Sequence, residues 1–89
     1  FDMVRRLVAE DNYLVGLHAS ERLEERGIME WQLVAGLADG QLIRERPDGD
    51  PNPIVEVLQS LPDGTEVKVV WAYLPVSGKA KLVTVHYFD

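Results

Sequence analysis

The segment from His18 to Ile28 carries the residue types best suited to chemistry in this chain. It reads His-Ala-Ser-Glu-Arg-Leu-Glu-Glu-Arg-Gly-Ile. Because a helix advances about 100° per residue, positions 18, 22 and 26 fall on one stripe, so His18, Arg22 and Arg26 form a cationic row. Such a row supplies a proton-transfer group and two guanidinium groups that can hold a phosphate. The alternative is that the arginines border a buried stripe and only pair with carboxylates or strand carbonyls.

A second group of polar side chains lies on the last two predicted strands. His86 and Thr84 share one face of the final strand, and Lys68 lies on the corresponding face of the strand before it. If the final strand lies beside the start of the helix, His18 and His86 can act as acid and base in phosphodiester cleavage without a metal. The alternative is that His86 is an exposed strand histidine with no chemical role.

The sequence offers no set of metal ligands, and we expect no metal and no cofactor. It contains two histidines and no cysteine, which excludes thiolate sites and disulfides. The segment Asp48–Asn52 resembles the start of a calcium loop, but Pro53 stands at the turn glycine and Gln59 at the closing glutamate. Trp31 and Trp71 are interpreted as core aromatics, since each lies on the apolar face of its element.

Composition is typical of one small globular domain. The chain has 89 residues, 46% of them hydrophobic and 27% charged, which predicts a single domain over residues 1–89. We expect a cytoplasmic protein that contacts no membrane, because no apolar run approaches the roughly 20 residues that cross a bilayer and the charged N-terminal stretch is not a signal peptide. Nine Lys and Arg against fifteen Asp and Glu give a net charge of −6, so RNA binding requires the few cations to be gathered in one place.

Periodicity predicts helices first and strands afterwards. Helices are predicted over 1–11, from His18 or Ser20 to Arg26 with Gly27 as the stop, and over about 30–38. Strands are predicted over 41–46, 54–61, 65–74 and 80–88, with 12–17 as a strand-like connector. This order predicts an α+β domain, with a helical part at about 1–40 and two to three N-terminal helices packed on one face of a four-stranded antiparallel sheet at about 41–89.

Strict alternation assigns the two faces of the last strands. The face predicted to pack on the helices carries large apolar residues, namely Val67, Val69, Trp71 and Tyr73, then Val83, Val85 and Tyr87. The opposite face is predicted to be open and half apolar, with Val70, Leu82 and Phe88 among its residues. An open, mixed face is either a binding surface or a solvated back side.

Several of these residues also carry a family resemblance. They are His18-Ala19 at a helix start, Arg22 one turn later, Arg26-Gly27-Ile28, Pro47, and Val83-Thr84-Val85 with Tyr87. In them the chain resembles, over roughly residues 14–87, the family called domain of unknown function 4258. That family is similar to the barnase/EndoU/colicin/RelE-like ribonuclease fold, whose members include bacterial-type toxins and effector nucleases.

The resemblance implies a metal-independent endoribonuclease of the toxin type. RNA would be cleaved by internal attack of the 2′-hydroxyl group, giving a 2′,3′-cyclic phosphate. His18 would be the acid or base, Arg22 and Arg26 would hold the scissile phosphate, and Thr84 would orient it. His86 and Lys68 would bind substrate, and a cognate antitoxin would be the protein partner.

Two other functions remain open from the sequence. One is a catalytically inactive interaction module with the same fold, acting through another protein or as a homodimer, which the net charge of −6 favours. The other is a structural appendage of a longer chain, an expectation based on the absence of an initial methionine and the abrupt ending at Phe88-Asp89.

Overall fold

Three helices and the first, short strand precede the main part of the sheet in the computed structural model, which describes residues 1–88. Asp89, the last residue of the predicted domain, lies outside the described residues. In chain order the elements are α1 (Asp2–Ala9), β1 (Tyr13–Val15), α2 (Leu17–Arg26), α3 (Glu30–Gly36), a 3-10 turn (Leu37–Asp39), β2 (Gln41–Arg46), β3 (Ile54–Ser60), β4 (Glu66–Leu74) and β5 (Lys79–Tyr87). No helix among them is long and apolar enough to cross a membrane.

The sheet has five strands and is mixed, in the order β1-β5-β4-β3-β2. β2, β3, β4 and β5 pair antiparallel, as predicted, but β1 joins the edge parallel to β5, with Tyr13 opposite Ala80 and Val15 opposite Leu82. The prediction of a four-stranded, purely antiparallel sheet was therefore wrong, because the segment predicted as a strand-like connector, 12–17, contains a fifth strand. Three residues are too few to show an alternating pattern, so the pairing of β1 was invisible in the sequence.

One hydrophobic core lies between the helices and one face of the sheet. Trp71 is fully buried at its centre, where its ring meets that of Tyr13 edge-on, with the ring centroids 6.4 Å apart. The buried side chain of Gln59 accepts a hydrogen bond from the Trp71 indole N–H at 3.0 Å and donates one to the Leu33 carbonyl at 2.8 Å. This amide ties α3 to the middle of the sheet.

The third helix packs on a different stripe from the one predicted. Leu33 and Leu37 are buried, whereas Trp31 is 61% exposed, so its assignment to the core was wrong. Residues 33 and 37 are four apart and share a helix face, and Trp31 is about 200° away from Leu33 on the helix. Helix α3 has two apolar stripes. The buried stripe is the one that contains Leu33, whose carbonyl accepts the hydrogen bond from Gln59.

A bulge in β5 corrects the predicted strand faces. Val70 lies opposite Thr84 and Trp71 lies opposite Leu82, so Val83 is the extra residue. One extra residue reverses the alternation beyond it, which is why Leu82 is buried in the core and Val83 is not. Of the three residues predicted to make the open face apolar, Leu82 faces the core, Val70 is only 9% exposed and Phe88 is 55% exposed.

The second helix is placed by the end of β1. The Gly16 N–H donates a hydrogen bond to the Leu82 carbonyl at 3.0 Å, and α2 begins at the next residue. α2 then follows the second half of β5, where β1 no longer covers the sheet edge, and ends at Gly27 as predicted. Gly27 has a left-handed backbone with φ of 65°, which favours glycine.

Candidate functional site

The cationic row of α2 lies along β5. His18 is exposed near the start of the helix, and Arg22 and Arg26 are half-buried further along it. At the end of the helix the Tyr87 hydroxyl donates a hydrogen bond to the Arg26 carbonyl at 3.2 Å. Together with the Gly16–Leu82 hydrogen bond, this contact aligns α2 with β5 over its length.

The guanidinium of Arg26 contacts an aromatic ring and forms no ion pair with an acid of the described residues. Its guanidinium carbon lies 5.0 Å from the centroid of the Tyr87 ring, within the range of a cation–π contact. Its Nε is buried and has no hydrogen-bond partner among residues 1–88. The ion pairs found in the described residues do not include Arg26, so its positive charge adds in full to the local field.

Arg22 keeps most of its binding capacity. Its nearest acid is Glu25, three residues along the same helix, with Nη1 and Oε2 3.8 Å apart. The Glu25 side chain is 64% exposed. Pairs of this kind on a solvated helix contribute well under about 1 kcal/mol, so an anion can displace the carboxylate at little cost.

Lys68 and His86 face each other across β4 and β5 on the side of the sheet away from the helices. Lys68 also lies 3.4 Å from a carboxylate oxygen of Glu56 on β3. The His86 imidazole is partly buried, and this burial is the largest cause that lowers its pKa below the ordinary 6.5. The positive charges of Lys68, Arg22, Arg26 and His18 lower the pKa further, in that order.

The structure therefore brings together five of the predicted site residues. His18, Arg22, Arg26, Lys68 and His86, here called the cationic cluster, are close enough for the other four charges to act on the His86 imidazole. A lowered pKa keeps His86 neutral at pH 7, which is the form that accepts a proton.

Thr84, the sixth predicted residue, is next to the cluster but is not open to it. It lies opposite Val70, one pair along the same face from the pair of Lys68 and His86. Its hydroxyl oxygen is buried and has no hydrogen-bond partner in the described part of the chain. A phosphate can reach this oxygen only after the side chain rotates about its first torsion, which moves the hydroxyl to another staggered position.

The open face of the sheet carries further cations that the sequence reasoning missed. Each of them pairs with a residue of the open face on the neighbouring strand. These cations are Arg44, Arg46, Lys79 and Lys81. With Lys68, five of the nine Lys and Arg residues lie on this face of an acidic protein, and Arg22 and Arg26 lie on the helix that follows β5. In the sequence these cations form two pairs, each with its members two residues apart, as on one face of a strand. Which face of the sheet each pair occupies depends on the bulge in β5 and on the position of β2 at the sheet edge.

Other candidate sites are less suited to an anion. The larger hollow, of about 500 Å³, lies at the outer edge of β1 and has the carboxylates of Asp11 and Glu30 on its walls. Glu30 accepts a hydrogen bond from the Tyr13 hydroxyl at 2.7 Å, and this bond is the main cause that raises the pKa of Tyr13 to about 12. Within residues 1–88, no three His, Asp or Glu side chains are grouped as metal ligands would be.

The fold and the site together define an α+β domain with a cationic sheet face beside a helix. The chain belongs to the family described as Domain of unknown function (DUF4258), whose model matches residues 16–87, as the resemblance predicted. No curated protein and no solved structure matches the chain. The predicted similarity to ribonuclease toxins gains no support from these comparisons.

Proposed function

We propose that this domain is a metal-independent endoribonuclease that binds and cleaves RNA at the cationic cluster. The observation that carries the proposal is the gathering of two imidazoles, two guanidinium groups and one ammonium group in a chain of net charge −6. Fold stability does not require such a gathering, because like charges at close range repel one another. A bound phosphodiester relieves that repulsion.

The two histidines suit the two proton transfers of the reaction. His86, kept neutral by its surroundings, takes the proton from the ribose 2′-hydroxyl group. The 2′-oxygen forms a bond to phosphorus and the bond to the 5′-oxygen breaks, which leaves a 2′,3′-cyclic phosphate. His18 gives a proton to the departing 5′-oxygen. Its exposed position at the start of α2 leaves room for the leaving strand.

The three permanent cations stabilise the negative charge that builds up on the phosphate. Arg22 offers a guanidinium that its weak pair with the exposed Glu25 leaves available, and Lys68 offers an ammonium that it shares with Glu56, 3.4 Å away. Arg26 adds the charge of a guanidinium that has the Tyr87 ring against one side. Electrostatic groups fixed in place before the reaction typically contribute about 100-fold to 1,000-fold each to the rate. Thr84 joins them if its hydroxyl rotates towards the phosphate.

The test is RNA cleavage by the purified protein in the presence of EDTA. We expect a labelled single-stranded RNA to give products that end in 2′,3′-cyclic phosphate, identified by mass spectrometry. His86→Ala and His18→Ala should each slow cleavage by about 100-fold or more, because each removes one proton transfer. Circular dichroism checks that both variants fold.

A matched pair of variants separates the cluster from the overall charge. Arg22→Ala should slow cleavage by about 100-fold. Arg6→Ala makes the same change of charge on α1, which packs on the covered face of the sheet, and should leave the rate within about twofold. Intact RNA, or cleavage that His18→Ala does not change, would contradict the proposal.

The same proposal includes the cytoplasm as the place of action and an antitoxin as the partner that keeps the enzyme inactive. An acidic partner segment that covers the cationic face would do so by charge complementarity.

A second candidate function is an inactive interaction module. It is favoured by exposed apolar residues on the helical side, where Leu17 is 77% exposed, Met29 62% and Trp31 61%. Residues of this type are enriched in protein interfaces when they are grouped. Light scattering after size-exclusion chromatography tests this function: a stable dimer that Trp31→Ser dissociates would support it, and a monomer that cleaves RNA would contradict it.

A further inference from the structure

A groove of about 330 Å³ lies on the open face of the sheet, beside the cationic cluster. Its floor is apolar and is formed by Ile54, Val70 and Ala72, with Val83 as one wall. Val83 reaches the groove at the bulge, where it and Thr84 both lie between the core residues Leu82 and Val85. The bulge thus adds one apolar wall to a hollow whose floor is already apolar.

The groove is joined to the cluster along β4. Val70 belongs to the floor, and Lys68, two residues away on the same face, lies opposite His86. Two residues along a strand span roughly 7 Å, which a ribose bridges between its phosphate and its base. Lys81 lines the other side of the groove, and its side chain passes close to Gly16, the residue before α2.

The chemistry of the walls favours an uncharged, flat ligand. A phosphate on the floor of the groove would meet apolar side chains and the carboxylate of Asp50, both of which disfavour it, and Lys81 is the one cation of the lining, at its other side. A nucleobase covers the apolar floor and leaves its polar edge to Asp50 and Asn52 at the rim. The volume is at the lower end of the range of small-molecule pockets, about 300–1,000 Å³, and suits a single base.

One base matches the carboxylate better than the others. Guanine presents two neighbouring N–H donors, on N1 and on the exocyclic amino group, and a carboxylate accepts two parallel hydrogen bonds. On their pairing edges adenine and cytosine present a donor next to an acceptor, which a carboxylate oxygen repels. Uracil offers one N–H between two carbonyl oxygens. The amide of Asn52 can donate to the guanine O6.

We propose that this groove is a base-binding subsite that selects guanine through Asp50, while the phosphate of the same nucleotide lies at the cationic cluster. The inference rests on the proposed RNA-binding function and adds its base preference. Lys81 lies where it can neutralise the next phosphate along the strand.

Binding of mononucleotides tests the subsite without any need for catalysis. The 3′- and 5′-monophosphates of the four nucleosides are titrated into isotope-labelled protein and followed by amide NMR spectra. Guanosine monophosphate should shift the amide signals of Val70, Ala72 and Val83, and it should bind about tenfold more tightly than adenosine monophosphate.

Two variants of one loop make the test specific. Asp50→Asn should remove most of the tenfold preference for guanosine over adenosine monophosphate, because the amide replaces one acceptor by a donor. Asp48→Asn makes the same change of charge two residues away, at a position that does not line the groove, and should keep the preference.

The outcomes separate this proposal from the proposed function. Equal binding of all four bases, or a preference that Asp50→Asn leaves intact, would overturn the selection of guanine. Inorganic phosphate that shifts the signals of Lys68 and His86, with no nucleotide shifting the groove, would overturn the subsite and leave the RNA-cleavage proposal standing. Guanosine monophosphate bound in the groove of a protein that cleaves no RNA would support the subsite and overturn catalysis alone.

Discussion

The dependence of RNA binding on salt should reveal how many phosphates the cationic cluster neutralises. Single-stranded nucleic acid loses affinity with a logarithmic slope of about −0.7 for each phosphate neutralised, because bound counterions are released. The cluster contains three permanent cations, Arg22, Arg26 and Lys68. One phosphate for each predicts a slope of about −2 for the wild type and about −1.4 for Arg22→Ala.

These slopes convert into differences that a binding assay resolves. Between 50 and 200 mM salt the wild type should lose about 18-fold in affinity and Arg22→Ala about 7-fold. The assay is fluorescence anisotropy of a labelled oligonucleotide whose 2′-hydroxyl groups are methylated, so that binding is measured without cleavage. Arg6→Ala is the control, because it removes the same charge from α1 on the covered face.

Two outcomes of this assay would show that the cationic cluster is not the RNA-binding surface. If Arg6→Ala lowers the slope as much as Arg22→Ala does, binding follows the net charge of the protein and not the cluster. A wild-type slope near zero would show that the cations on the open face bind no phosphate at all.

Three further predictions follow from single contacts. Burial and the neighbouring cations make His86 bind a proton more weakly in the folded than in the unfolded protein. Its contribution to the free energy of unfolding is therefore present above about pH 6.5 and is lost as the pH falls through the lower pKa of the folded protein. Urea unfolding at pH 7.5 and 5 should show this loss of stability, and His86→Gln should reduce the loss. Alkaline titration of the tyrosine absorbance should show one group with a pKa of about 12, that of Tyr13, and Glu30→Gln should move it towards 10 because the hydrogen bond to the carboxylate is its largest cause. Gln59→Leu should lower the free energy of unfolding, measured by urea denaturation, by about 2–4 kcal/mol, because the Trp71 indole N–H and the Leu33 carbonyl lose their buried partner. An unchanged denaturation midpoint would show that the Gln59 amide does not hold α3 to the sheet.

The parts of the fold that sequence predicted well are those with strong local signals. The second helix ends at Gly27 as expected, because a left-handed terminal residue favours glycine. The hairpin between β3 and β4 contains Asp63-Gly64, and Gly64 has φ of 90°, which again favours glycine. Local chemistry determines such features, so a single sequence is enough to find them.

The parts that failed depend on contacts between distant residues. The pairing of Tyr13 with Ala80 joins segments 67 residues apart, and three strand residues leave no pattern to recognise. The exposure of Trp31 was decided by which stripe of α3 met Gln59, a residue outside the helix. The bulge at Val83 adds one residue to β5 and so shifts the predicted alternation of its side chains by one position. No turn-forming residue in the sequence marks the bulge.

The candidate site falls between these two cases. Helical spacing alone grouped His18 with Arg22 and Arg26. Their proximity to His86 depends on β1, which sets α2 against the last strand. Sequence could therefore name the cluster residues but could not show that they meet, because the distance between them depends on the position of β1 in the sheet.

The parallel pairing of β1 with β5 also fixes when the cluster can form during synthesis. The His18 end of α2 is made early, whereas the strand that carries His86 is made after all the other described elements of the domain. Every shorter length of nascent chain lacks His86 and lacks the strand that pairs with β1. A protein that cleaves RNA would in this way be harmless to the ribosome that makes it until translation has passed β5.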